Sequence, residues 1–125
     1  MVIEPPTAGQ GARRVWSDSK GRIWVSEWNA GAVSVFDPAT AGWKSWKLPG
    51  DNPQAYAVYV DNNDKVWLTD FGANAIVRFD PSTEIFETYP SDQADASVRQ
   101  LLGQAGEVWG AESGTDRLVV VRAVD

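Results

Sequence analysis

The chain has 125 residues, 43% hydrophobic and 22% charged, enough apolar material to build a core rather than a disordered segment. A net charge of −6 with no basic run disfavours nucleic acid, no apolar stretch is long enough to span a membrane, and Met1-Val2-Ile3-Glu4-Pro5-Pro6 lacks the pattern of a signal peptide, so a soluble, cytoplasmic protein is expected. Without Cys there are no disulfides or thiolate nucleophiles, and without His the commonest general base near neutral pH is missing.

In chain order, a short β-type run at Val2-Ile3-Glu4 ends in proline, and three similar units follow. Arg22-Ile23-Trp24-Val25-Ser26-Glu27 recurs as Lys65-Val66-Trp67-Leu68-Thr69-Asp70 and as Glu107-Val108-Trp109-Gly110-Ala111-Glu112, with the Trp residues 43 and 42 apart. Val33-Ser34-Val35-Phe36-Asp37-Pro38 matches Ile76-Val77-Arg78-Phe79-Asp80-Pro81 at the same offset of 43, and so does Trp43-Lys44-Ser45-Trp46 with Phe86-Glu87-Thr88-Tyr89. The second unit reads as four strands: A near Ala55 to Val60, B near Lys65 to Thr69, C near Ala75 to Phe79 and D near Ile85 to Tyr89. Asp18-Ser19-Lys20-Gly21 and Asp61-Asn62-Asn63-Asp64 are turn sequences, and the Asp-Pro pairs end strand C because proline cannot donate to a ladder. Asn62-Asn63-Asp64 lacks the full spacing of a Ca²⁺ loop, so the turn suffices to explain it. The third unit supplies strands near Val98 to Leu102, Glu107 to Ala111 and Arg117 to Arg122.

Four antiparallel strands per 40 to 50 residues describe a β-propeller blade. The expected fold is all-β, with three blades' worth of strands in the order D-ABCD-ABCD-ABC. Residues 1–6 form a closing D strand, residues 12–49 blade 1, residues 55–90 blade 2, and residues 97–123 strands A to C of blade 3. The proline at position 6 lies 43 before Pro49, which sets the register of Val2 to Glu4. Strand Met1 to Glu4 of one copy pairing with strand C of another then gives a homodimer that closes a six-bladed ring, inside the usual range of about four to eight.

Innermost strands that descend from the top face of a propeller place the D–A and B–C loops together around the channel mouth. The B–C loops begin with Glu27-Trp28-Asn29, Asp70-Phe71-Gly72 and Glu112-Ser113-Gly114, and the starts of strand A bring Arg13, Arg14, Gln54, Tyr56, Arg99 and Gln100. Glu27, Asp70 and Glu112 are candidate ligands for Mg²⁺ or Ca²⁺, while Arg13, Arg14, Trp28, Asn29, Tyr56, Phe71 and Arg99 are candidates for holding a small molecule. In the competing reading the carboxylates cap strand ends and pair with Arg13, Arg14 and Arg99 between blades, tiling the repeat. Trp24, Trp67 and Trp109 recur in strand B and are assigned to packing between blades, Trp43 and Trp46 in the outer strand are read as structural, and Trp28 in a top loop is a candidate for ligand stacking.

The runs Ile23-Trp24-Val25-Ser26-Glu27, Val66-Trp67-Leu68-Thr69-Asp70 and Asn74-Ala75-Ile76-Val77-Arg78-Phe79-Asp80-Pro81, with the closing Pro49 and Pro90, resemble the virginiamycin B lyase (streptogramin lyase) family of bacterial propellers. NHL and gluconolactonase-like propellers use similar blades. The resemblance covers nearly the whole chain and implies part of a larger propeller, its C-terminal part or a derived fragment. It also implies Mg²⁺-assisted carbon–oxygen elimination that opens type B streptogramin rings, with a His base and a Glu metal ligand. Glu112 occupies a position matching that Glu, but no residue here can be the His. Two readings follow: a self-assembling propeller with a ligand or cation site and no lyase activity, or the active part of a lyase whose His lies in a missing region.

Overall fold

The computed structural model describes residues 1–123 as eleven strands. Strands β1 (Ala12–Ser17), β2 (Ile23–Glu27), β3 (Ala32–Asp37) and β4 (Gly42–Lys47) form one antiparallel sheet. A second sheet holds β5 (Ala55–Val60), β6 (Val66–Asp70), β7 (Ala75–Asp80) and β8 (Ile85–Pro90), each paired with its sequence neighbour. The third contains β9 (Val98–Gln104), β10 (Glu107–Glu112) and β11 (Arg117–Arg122). These are blades 1, 2 and 3, and their strands fall within about two residues of the positions read from the repeat.

Alternation along each strand gives every blade two apolar faces. Trp24, Val33, Val35 and Leu48 of blade 1 pack on Ala55, Val58, Val66, Leu68, Val77 and Phe79 of blade 2. Tyr59, Trp67 and Ile76, on the other face of blade 2, pack on Val98, Leu101 and Val108 of blade 3. Trp24 and Trp67 therefore fill the gaps between sheets, whereas Trp109 lies on the open face of blade 3. Trp24 and Trp67 are fully buried, and Trp46 stacks on Trp24 with ring centroids 5.7 Å apart.

A buried carboxylate fixes the A–B turn in blades 1 and 2. Asp18 accepts hydrogen bonds from the Trp24 indole Nε1 at 2.9 Å and from the backbone N of Lys20 and Arg22. Asp61 accepts from Trp67 Nε1 at 2.9 Å and from the backbone N of Asn63 and Lys65. In blade 3, Gln104 continues the ladder opposite Glu107 across a tight Ala105-Gly106 turn, with Gly106 at φ 73°. This shorter hairpin accounts for the Trp spacing of 42, and Trp109 Nε1 turns instead to Glu107 Oε1 at 2.7 Å.

Residues 1–6, read as a closing D strand, form no strand within a single chain, and Met1 and Val2 are fully exposed. The register that the repeat assigns them requires a partner along β11, which pairs only with β10 among the described residues.

Asp80, at the end of β7, predicts an acid limb in stability. The Ser82 hydroxyl holds its carboxyl at about 2; partial burial opposes this, and Ser82 N and the Lys65 ammonium at 3.1 Å add to the lowering. A depressed folded pKa means that its contribution is complete above the ordinary Asp value, about 3.9, and is lost as pH falls towards 2. Asp80→Asn should therefore flatten the decline of the urea midpoint between about pH 4 and pH 2. An unchanged slope would remove Asp80 from that limb.

Candidate functional site at the channel mouth

Each inner strand carries an irregularity near its start. Pairing skips from Ala12 to Val15 in β1, from Ala55 to Val58 in β5, and from Val98 to Leu101 in β9. The two residues in each gap, Arg13-Arg14, Tyr56-Ala57 and Arg99-Gln100, face one residue of the neighbouring strand, as in a β-bulge, a device that re-aims side chains. Ser26 and Thr69 close the first two bulges by accepting from Arg14 N at 3.0 Å and Ala57 N at 2.9 Å. Both were legible as the repeated Ser/Thr one residue before the strand-B carboxylate, but their role was not, because it depends on the bulge.

The bulges and B–C turns bring six of the seven ligand-binding candidates together. Trp28, Tyr56 and Phe71 form one aromatic cluster: Trp28 meets Phe71 edge-on at 5.2 Å and Tyr56 at 5.8 Å, while Tyr56 stacks on Phe71 at 5.2 Å. Arg13 lies over Trp28 at 5.5 Å, Arg14 over Tyr56 at 4.8 Å, and Arg99 over Phe71 at 5.9 Å. The seventh candidate, Asn29, is occupied in holding the loop, donating from Nδ2 to Gly9 O at 3.1 Å. Ser113 also joins the site through a hydrogen bond from Arg99. All three arginines are exposed, and among the described residues none has a carboxylate within ion-pair distance.

The three carboxylates behave differently. Glu27, Asp70 and Glu112 are buried, and among the described residues no three acidic, His or Cys side chains gather as a metal-binding group. Asp70 Oδ1 accepts from Gln54 N at 2.9 Å and Ala73 N at 3.2 Å, tying a D–A loop to a B–C turn. Glu112 accepts from Thr115 Oγ1 at 2.6 Å and Glu27 from Ser34 Oγ at 2.9 Å. Turn capping thus describes Asp70 and Glu112, and a bond from the adjacent strand describes Glu27, but the salt bridges to Arg13, Arg14 and Arg99 that would complete the tiling reading are absent among the described residues. Among the described residues the three carboxylates do not gather at one point within a single chain.

Glu27 Oε2 is buried without a hydrogen-bond partner, and burial raises its pKa against the lowering effect of the Ser34 hydroxyl. A carboxyl whose pKa is higher when folded destabilises the fold above that pKa, and stability recovers as pH falls towards the unfolded value. Glu27→Gln should therefore raise the unfolding free energy at pH 7, and the gain should shrink at pH 4. Chemical denaturation at both pH values checks this. A loss at pH 7 would mean that the charge itself is needed, as for a bound cation.

Repeated four-stranded blades stacked face to face define a β-propeller segment. No family model and no curated protein matches the chain, but solved structures do. A catalytically inactive virginiamycin B lyase from Staphylococcus aureus, solved with Quinupristin, superposes with a TM-score of 0.86 at 19% identity over 95% of this chain. A streptogramin B lyase gives 0.78 at 18% identity over 97% of it, and a protein of unknown function from Bacteroides caccae gives 0.66 at 18% over 90%. The chain spans 40% and 43% of the two lyases and 46% of the third protein. At these identities the likeness establishes the propeller fold that this chain shares with virginiamycin B lyase.

Proposed function

We propose that this chain builds a closed β-propeller that binds a small anion with a flat apolar portion at its channel mouth. The carrying observation is the convergence of Arg13, Arg14 and Arg99 on Trp28, Tyr56 and Phe71, without a neutralising carboxylate, in a chain of net charge −6. Guanidinium groups suit bidentate binding of carboxylate or phosphate, and aromatic faces suit a planar apolar group. Mg²⁺ and Ca²⁺ are less well served, since the exposed charge at this mouth is positive.

Calorimetry with 2-naphthoate and its neutral amide tests the site. The carboxylate should bind at least tenfold more tightly than the amide, weaken with added salt, and lose about tenfold with Arg99→Gln or Trp28→Ala. Equal binding of the two probes, or binding of neither, overturns the reading.

Lyase chemistry is not part of this proposal. Ring opening by elimination needs a positioned base, and the chain has no His to carry the role that the resemblance gives to one. Chromatography of a type B streptogramin incubated with the protein and Mg²⁺ should show no turnover. Efficient opening would instead favour the lyase reading.

Closure of the ring is proposed to come from a second copy, making six blades. Val15 is 61% exposed where its counterpart Val58 is 4% exposed, and Leu118 is 73% exposed where Ile76 is 5% exposed. Val15 lies on the open face of blade 1 and Leu118 on that of blade 3, so each lacks the neighbour that the interior blades possess. The two faces are the two halves of the interface already made twice inside the chain. Sedimentation velocity should give a dimer; a folded monomer at tens of micromolar overturns this closure.

A further inference from the structure

The exposed N-terminal segment and the unpaired edge of β11 are related by the repeat's own register. In blade 2, Ala75 pairs with Pro90, Ile76 with Tyr89 and Val77 with Thr88; in blade 1, Ala32 pairs with Lys47, Val33 with Trp46 and Ser34 with Ser45. Alignment of Trp109 with Trp67 makes Arg117, Leu118 and Val119 the equivalents of Ala75, Ile76 and Val77. The offset that relates Pro6 to Pro49 makes Glu4, Ile3 and Val2 the equivalents of Lys47, Trp46 and Ser45.

We infer that residues Val2 to Glu4 of one copy add as the fourth strand of blade 3 in a second copy, with Glu4 opposite Arg117, Ile3 opposite Leu118 and Val2 opposite Val119. This rests on the dimeric closure proposed above and assigns its strand and register. The pairing places opposite charges together at one end and two exposed apolar side chains together in the middle, both favourable cross-strand pairs. A slip of one residue would send every side chain to the wrong face and set Glu4 against Leu118.

The cleft beside β11 agrees with this occupant. It encloses about 310 Å³ between blades 2 and 3, walled by Tyr89 and Pro90 on one side and by Val119 and Val121 on the other. At the junction of blades 1 and 2, Phe79 and Phe86 occupy the corresponding space. Val121 stands in the place of Phe79 and leaves room, and Val2, sharing a face with Val119, adds apolar volume on the cleft side.

The chain has no Cys, so a paired substitution reports one contact. Ile3→Cys combined with Leu118→Cys should give intermolecular disulfides under mild oxidation, while Glu4→Cys combined with Leu118→Cys should give at least tenfold less. Deleting residues 1–5 should weaken dimerisation by at least tenfold, as should Glu4→Arg, and Glu4→Arg combined with Arg117→Glu should recover it. A dimer that forms no Ile3–Leu118 crosslink and is indifferent to the deletion overturns the strand assignment while leaving the dimeric closure standing. A monomeric parent chain overturns both.

Discussion

Trp67→Ala should cost about 3–5 kcal/mol of unfolding free energy, a large share of the roughly 5–15 kcal/mol that holds a domain together. Trp67 is fully buried between blades 2 and 3, stacks near Tyr89 at 6.1 Å and has its indole N–H tied to Asp61, so alanine leaves a cavity and an unused acceptor. Trp109→Ala supplies the control. That residue is half-buried on the open face of blade 3, and its N–H bonds to Glu107 within its own strand. Urea denaturation at concentrations where the chain is monomeric should show a loss from Trp109→Ala less than half that of Trp67→Ala. Equal losses would contradict the assignment of an interior and an open face.

Asp61→Ala should cost about 3 kcal/mol, because it strands a buried indole donor and several part-buried backbone donors at once. The carboxylate is 2% exposed, and it serves Trp67 Nε1, Asn63 N and Lys65 N, with Gly106 N at 3.4 Å. Asparagine should rescue only part of the loss, since its NH₂ group meets an N–H donor in place of one oxygen. A cycle with Trp67→Phe, which keeps a ring and removes the N–H, should show a coupling of about 0.5–3 kcal/mol. Additive effects in the cycle would mean that the carboxylate stabilises the turn alone and does not anchor the tryptophan.

The repeat made much of the fold legible. Chain-neighbour pairing in a blade is local, so strand positions follow from alternation and turn residues, and the offset of 43 carries one blade's assignment to the next. The shorter hairpin at Ala105-Gly106 was visible only as the spacing of 42, without its consequence for Trp109. At the mouth, Arg13, Arg14, Trp28, Tyr56, Phe71 and Arg99 were legible as a group because loop position in a blade decides which side chains meet. The carboxylates were not. Equivalent positions in three repeats say that Glu27, Asp70 and Glu112 share an environment, and not that they converge.

The sequence by itself determined the blade, its period, the tryptophans between blades and the loops that form the mouth, because these depend on alternation and on neighbours close in the chain. Only the tertiary structure decided which way polar groups turn. The bulges at Arg13-Arg14, Tyr56-Ala57 and Arg99-Gln100 lift the arginines onto the aromatic cluster, while Glu27, Asp70 and Glu112 are drawn into hydrogen bonds with turns and strands beneath it. A carboxylate near a turn finds backbone N–H or hydroxyl donors within its reach, whereas a guanidinium on a bulge has an aromatic face of its own or an adjoining blade close by. That difference in nearby partners, which residue identity does not encode, leaves the three guanidinium groups exposed beside the aromatic cluster and the three carboxylates buried.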